Sequence, residues 1–379
     1  MDHSILLLIN LRGGADGLNM LIPYREDHYF RSRPTLAIPK PGEAGKSALE
    51  LNQQWAIHPA LEPLMELYLR QDLAFVQAVG WPGTSHSHFE AWDDIEAGGL
   101  GEQRPINGWL ARFLQAMPET GDSALRGVAL SDKVPRVLSG ASGVSALQSF
   151  DEFQLATARK EEMSSALRLL YQTSPLSVGK FGVQTLNAIQ RFDAIGNTGT
   201  LNPASVGYPN TRFGAHLYTV DQLIRAGVGL KVACVDLDGW DTHFAQGATD
   251  GLMANLMTQL ATGIRVFFDR LGDLKSQVTM VVMTEFGRRV EENASGGTDH
   301  GAGGVMLIGG GRVKGGKVYG NWPGVAPDQL SGPGDVKLTT DFRQILGELV
   351  ASIAGEGGLA KIFPGFRFST PVLELRMKN

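Results

Sequence analysis

The sequence predicts an α/β fold, one large domain over residues 1–379 built on a mostly parallel central sheet. Three observations predict it. Short runs of Val, Ile and Leu each end in a polar, glycine-rich turn, as strands buried on both faces do. Between them lie longer segments with apolar residues every three or four positions, the period of an amphipathic helix. The composition is that of a chain with a sizeable core, 43% hydrophobic and 19% charged over 379 residues. Such runs alternating with helices imply βαβ units in a doubly wound sheet.

The first predicted strand is Ile5–Leu11, followed by Arg12-Gly13-Gly14-Ala15-Asp16-Gly17. The second is Leu73–Val79, running into Gly80-Trp81-Pro82-Gly83-Thr84-Ser85. Gly127–Leu130 is a weaker candidate. Residues 151–205 are helix-prone, then rich in Gly and Asn, and read as an insertion or cap on the same domain. Tyr218, Leu223 and Ile224 mark a helix before the third strand, Leu230–Leu237, which ends in Asp238-Gly239-Trp240-Asp241. Leu252, Leu256, Leu260, Ile264, Phe267 and Leu271 form one face of a long helix feeding the fourth strand, Val278–Met283. The fifth strand is Val305–Ile308. Phe342, Ile345, Leu346, Leu349 and Ile353 give a C-terminal helix capped by Thr340 or Asp341.

Lys plus Arg number 34 and Asp plus Glu 39, a net charge of −5. That balance argues against nucleic acid or an anionic membrane surface as the main partner. The single cysteine, Cys234, excludes an internal disulfide and a Cys-rich zinc site. No run reaches the ~18 apolar residues of a transmembrane helix. The start, Met1–Gly14, lacks the basic region of a signal peptide, so the protein is cytoplasmic unless an export signal was removed ahead of this numbering.

Candidate chemistry sits beside the predicted strands, at the edge where open parallel sheets bind ligands. Asp16, Asp241 with His243, Glu285, and Asp299 with His300 would converge there with Ser85, Ser87 and His88. Each has a plain structural alternative. Asp16 precedes Gly17 as a turn Asp does. Asp241 could cap a helix. Glu285, ending an apolar run, must be solvated, paired with Arg288 or Arg289, or metal-bound. Gly296–Gly301 could be a surface loop. Ser87-His88-Phe89-Glu90 fits a capping box. A serine at a helix start is also where free N–H groups would stabilise a phosphoryl or sulfuryl oxyanion.

Read in order, LRGGADGLN, RPTLAIP (Arg33–Pro39), HPAL (His58–Leu61), SHF (Ser87–Phe89), NGWLARF (Asn107–Phe113), GWDTH (Gly239–His243), TEFGR (Thr284–Arg288) and GGTDHG (Gly296–Gly301) resemble the bacterial domain-of-unknown-function 1501 family. That family is related to the alkaline phosphatase and sulfatase superfamily. The resemblance implies an alkaline-phosphatase-like three-layer sandwich and a metal-dependent hydrolase of phosphate or sulfate esters acting on a small anionic ester. It implies a nucleophile from Thr84, Ser85 or Ser87 at a helix N-terminus, with His88 beside it. It implies divalent-metal ligands at Asp16, Asp241, His243, Glu285, Asp299 and His300. Zinc suits the mixed His/carboxylate set, and manganese or calcium a carboxylate-dominated one. Two departures stand out. Asp241-x-His243 is shorter than the superfamily's D-x-x-x-H, and Phe286 stands where a ligand His is usual. One metal site then loses a ligand unless His86 or His88 replaces it. An inert binding protein with the same fold is the alternative function. Export is implied only because family members commonly carry a twin-arginine signal.

Overall fold

The computed structural model describes residues 4–83, 85–117, 123–149, 155, 157–174, 177–196, 202–354, 356–369 and 373–375, so Thr84 lies outside the described residues. In chain order the strands are β1 (Ile5–Arg12), β2 (Leu21–Ile22), β3 (Leu49–Glu50), β4 (Ala56–Ile57), β5 (Leu73–Gly80), β6 (Gly127–Ala129), β7 (Val144–Ala146), β8 (Val232–Asp238), β9 (Val278–Thr284), β10 (Arg288–Glu292), β11 (Thr298–His300), β12 (Gly304–Gly309), β13 (Val318–Tyr319) and β14 (Thr340–Asp341). The helices are α1 (Gly17–Met20), α2 (Asp27–Ser32), α3 (Met65–Leu69), α4 (His88–Ala97), α5 (Trp109–Ala116), α6 (Lys160–Gln172), α7 (Ser177–Gly196), α8 (Arg212–Arg225), α9 (Leu252–Leu271), α10 (Phe342–Ala354) and α11 (Glu356–Ile362).

All five predicted strands, and the weaker sixth at Gly127, lie in one sheet ordered β13-β5-β12-β9-β1-β8-β6-β7, with β14 beside β5. β1 pairs in parallel with β8 and β9, and β6 with β7 and β8. β12 alone runs against its neighbours β5 and β9. The sheet is buried on both faces, which is why its strands read as unbroken apolar runs. Along β1, Ile5, Leu7, Ile9 and Leu11 pack with Leu217 of α8 and Leu260, Ile264 and Phe267 of α9. Leu6 and Leu8 face the opposite way, toward Trp109 and Phe113 of α5 and Ile345 and Leu349 of α10. The result is three layers, helix–sheet–helix. Leu7 and Ile9 are completely buried, and each contributes about 1.5–3 kcal/mol of hydrophobic stabilisation.

The α9 stripe is buried as its spacing predicts, except for Leu252 at the exposed first turn. Thr211 caps α8 by accepting the Gly214 N–H. At the start of α10 the cap is Asp341, which accepts the Arg343 N–H at 2.8 Å. Within 151–205, α6 and α7 pack on each other, joined by Arg168 to Asn187 and Lys160 to Asp193. Among the described residues no helix is long and apolar enough to cross a membrane.

The direction of β12 decides the site. Asp299 and His300 precede their strand, whereas the other candidates follow or cap theirs. A parallel β12 would have sent them to the far edge. Running antiparallel, it starts at the carboxyl edge of β9 and β1, and the hairpin β10–β11 bridges the two strands there.

Candidate metal centre

Four segments meet at this edge. His88 opens α4, Asp241 and His243 lie in the loop after β8, and Glu285 follows β9 directly. His300 ends β11, where the hairpin register places it opposite Arg288. Two glycines permit the approach. Gly13 has φ +127°, and a Cβ there would stand 2.3 Å from the Asp241 backbone nitrogen. A Cβ on Gly297 would stand 2.3 Å from the His243 carbonyl carbon. No side chain fits at either position.

Ligand atoms of His88, Asp241 and His300 all lie within 4.8 Å of one another, a set able to hold a metal ion. His300 Nε2 and His243 Nε2 are each 3.1 Å from Asp241 Oδ1 and 2.9 Å from each other. His88 Nε2 is 3.5 Å from Asp241 Oδ2. A tetrahedral zinc site with bonds of 2.0–2.1 Å has ligand–ligand edges of roughly 3.3 Å, so the spacing fits such an ion. The opposite ring nitrogens decide the tautomers. His88 Nδ1 meets Glu285 Oε1 at 2.7 Å, His300 Nδ1 meets the His86 carbonyl at 2.8 Å, and His243 Nδ1 meets Asp299 Oδ1 at 3.3 Å. All three partners only accept. Each neutral imidazole therefore carries its proton on Nδ1 and turns a bare Nε2 lone pair toward the Asp241 carboxylate. Acceptors converging in this way need a cation or protons between them.

The electrostatics agree. Burial raises the Asp241 pKa, but the Arg288 hydrogen bond and, in the metal-free protein, a proton shared with His300 Nε2 outweigh it and bring it down to about 2. Burial lowers the His300 pKa against its bonds to Asp241 and the His86 carbonyl, which favours the neutral, ligating form. The Glu285 hydrogen bond raises that of His88. Glu285 is itself held below its ordinary value despite burial, by His88 and by backbone N–H groups. The Asn293 bond lowers that of Asp299.

Several expected roles change. Asp16 is fully buried, but its carboxylate is taken by Arg33 (2.6 and 3.0 Å) and Gln246 (2.7 Å), so it joins a separate ion pair and not the His cluster. Glu285 and Asp299 sit behind the imidazoles, where such carboxylates orient metal ligands. His88, expected beside the nucleophile, is one of the converging imidazoles. Glu285 pairs with neither Arg288 nor Arg289. Arg288 instead bonds Asp241 Oδ1 at 2.7 Å and the carbonyls of Gly13, Gly14, Trp240 and Thr298. Asp241 caps nothing, since α9 begins after Gly251. Ser87 is the N-cap residue of α4, yet its side chain makes no capping bond. Its N–H donates to Ser85 Oγ at 3.1 Å, and both serines are half-buried. Phe286 is buried, its ring centroid 4.6 Å from that of His300 and 5.0 Å from that of His88, an apolar wall behind the cluster. Arg33, Gln246 and Asn293 were not legible as supports. Arg33 opens a quoted motif, and that was the one available signal.

A family model described as "Protein of unknown function (DUF1501)" matches residues 3–349. No curated protein matches the chain. Among solved structures, Ps i-CgsB in complex with k-i-k-neocarrahexaose is similar over 93% of this chain and 72% of its own, at 9% identity and TM-score 0.39. The alkaline phosphatase of the Antarctic bacterium TAB5 is similar over 84% of this chain and 95% of its own, at 11% identity and TM-score 0.31. The phosphonate monoester hydrolase of Agrobacterium radiobacter is similar over 83% and 70%, at 11% identity and TM-score 0.33. Likenesses this distant leave the chemistry to the site itself. The family model, in contrast, spans nearly the whole chain, including the glycine-rich loop after β1, the Asp241–His243 segment and the β10–β11 hairpin, and the protein belongs to the DUF1501 family.

Proposed function

We propose that the protein is a metal-dependent hydrolase of small phosphate or sulfate esters, with zinc as its ion and Ser87 as nucleophile. The observation that carries the reading is the convergence of three imidazole Nε2 atoms on one carboxylate. His88, His243, His300 and Asp241 would hold the ion, and Glu285, the His86 carbonyl and Asp299 fix their tautomers. When bound, a divalent ion supplies Lewis acidity toward an ester oxygen. Ser87 Oγ would bond to phosphorus or sulfur while the ester alcohol leaves carrying a proton. Water then takes the group from Ser87 and restores its hydroxyl. The free N–H groups of the first turn of α4 would steady the developing negative charge.

One observation favours a second reading, an inert protein of the same fold. Arg288, wholly buried, already neutralises Asp241. Metal analysis separates the two. The hydrolase reading expects near-stoichiometric transition metal, a melting temperature lowered by chelator, and hydrolysis of an aryl phosphate or sulfate. It expects His300→Ala to lose metal and activity while still melting cooperatively. Wild-type protein without metal, indifferent to chelator and inactive on both esters, would establish the inert reading.

A further inference from the structure

At the carboxyl ends of β1, β8 and β6, on the face covered by α4 and α5, lies a cleft of about 480 Å³ that the metal centre does not use. Glu96, on its wall, stands eight residues beyond His88 on α4, roughly 12 Å along the helix axis.

The floor is polar and almost fully satisfied. Arg12 lies between two carboxylates, with Nη2 2.9 Å from Glu96 and Nε 3.0 Å from Asp236, and its guanidinium stacks 3.8 Å over Trp92. Asn10 donates to Asp236 Oδ1 at 2.8 Å. The exception is Asn10 Oδ1. Asn10 is 2% exposed and lines the cleft, and this oxygen is buried with no hydrogen-bond partner. A buried acceptor left unpaired costs stability, and a donor entering the cleft would recover that cost. A hydroxyl suffices as that donor, since Arg12 already occupies both neighbouring carboxylates. The rim has the opposite need. Arg136 meets Asp93 through Nη1 at 3.0 Å and the Pro105 carbonyl through Nη2, but its Nε is a buried donor without a partner, and Lys133 makes no ion pair among the described residues. Between floor and rim, Leu130, Val134 and Pro135 offer an apolar wall for a carbon skeleton.

We propose that this cleft is a second binding site, for a small hydroxylated carboxylate. A hydroxyl donates to Asn10 Oδ1, and the carboxylate lies at the rim between Lys133 and Arg136. The site is independent of the metal centre.

The test is titration calorimetry with D-glucuronate as probe, with glucose (hydroxyls, no charge) and acetate (charge, no hydroxyl) as controls, before and after chelator. Glucuronate should bind more tightly than either control and equally well after chelation. Asn10→Ala should weaken it about tenfold, and Lys133→Ala about two- to fivefold. Lys133 is exposed, so its variant decides the matter if Asn10→Ala does not fold. No glucuronate binding at millimolar concentration, binding unchanged in Lys133→Ala, or binding abolished by chelator would each overturn the proposal.

Discussion

Replacing Glu285 with glutamine removes one charge and keeps an acceptor where Oε1 stands. Glu285 is 1% exposed, and Oε1 accepts from Gly13 N at 2.9 Å and from His88 Nδ1 at 2.7 Å. An amide oxygen in that position accepts both. The amide nitrogen then faces Thr284 Oγ1, which can turn its own proton to the Leu11 carbonyl, 2.9 Å away, and accept the new bond. What is lost is the negative charge behind His88, which makes its Nε2 a better ligand. Removing such an orienting carboxylate typically weakens metal binding 10–100-fold, about 1.4–2.7 kcal/mol. Competition against a chromogenic chelator measures it. In the metal-free protein the same charge stabilises protonated His88, whose pKa is raised. That increment is present below ~6.5 and lost as pH rises through the folded value, so metal-free Glu285→Gln should show a flatter pH profile there. Metal affinity within twofold of wild type, in a variant that melts normally, would refute the orienting role.

Three further outcomes are expected. Ser87→Ala should lower ester hydrolysis by about 10³-fold or more with metal content unchanged; retained activity would remove Ser87 as nucleophile. Asp16→Ala leaves the buried Arg33 guanidinium without its carboxylate and should cost about 3–5 kcal/mol in urea unfolding, while the folded protein keeps its metal. Metal loss with stability intact would return Asp16 to the ligand set. His216 is buried beside Arg212, and its pKa falls to about 4. The unfolded chain takes up that proton first, so stability should decline as pH drops from ~6.5 to 4, by about 3 kcal/mol in the limit. His216→Gln should flatten that decline, and identical urea midpoints for both proteins at pH 7 and 4.5 would refute it.

The strands were legible because burial on both faces writes itself into consecutive Val, Ile and Leu. Strand direction leaves no such mark. Nothing in Gly304–Gly309 states that it runs against β9, so the placement of His300 depended on a feature absent from local pattern. Pairing is equally silent. That Glu285 must find a partner follows from its position after an apolar run, but that the partner is His88 depends on a contact across 197 positions. Asp16 and Arg33 were both noticed in quoted motifs, and only folding shows that they neutralise each other. At Ser87 a local rule suggested a capping box. The helix does start there, without the capping bond, because the loop's serines are arranged around Ser85 Oγ.

The hairpin between β9 and β12 leaves and re-enters the sheet at one edge, with no crossover helix in between. Glu285, Arg288, Asp299 and His300 therefore travel on a single excursion whose two ends are anchored in adjacent strands. Such an excursion can open as a unit while the sheet stays closed. Under the proposed function, amide exchange across Arg288–His300 would gauge ion occupancy: an ion held by His300 would tie the excursion to α4 and to the loop after β8, and would oppose the opening by RT ln(1 + [ion]/Kd).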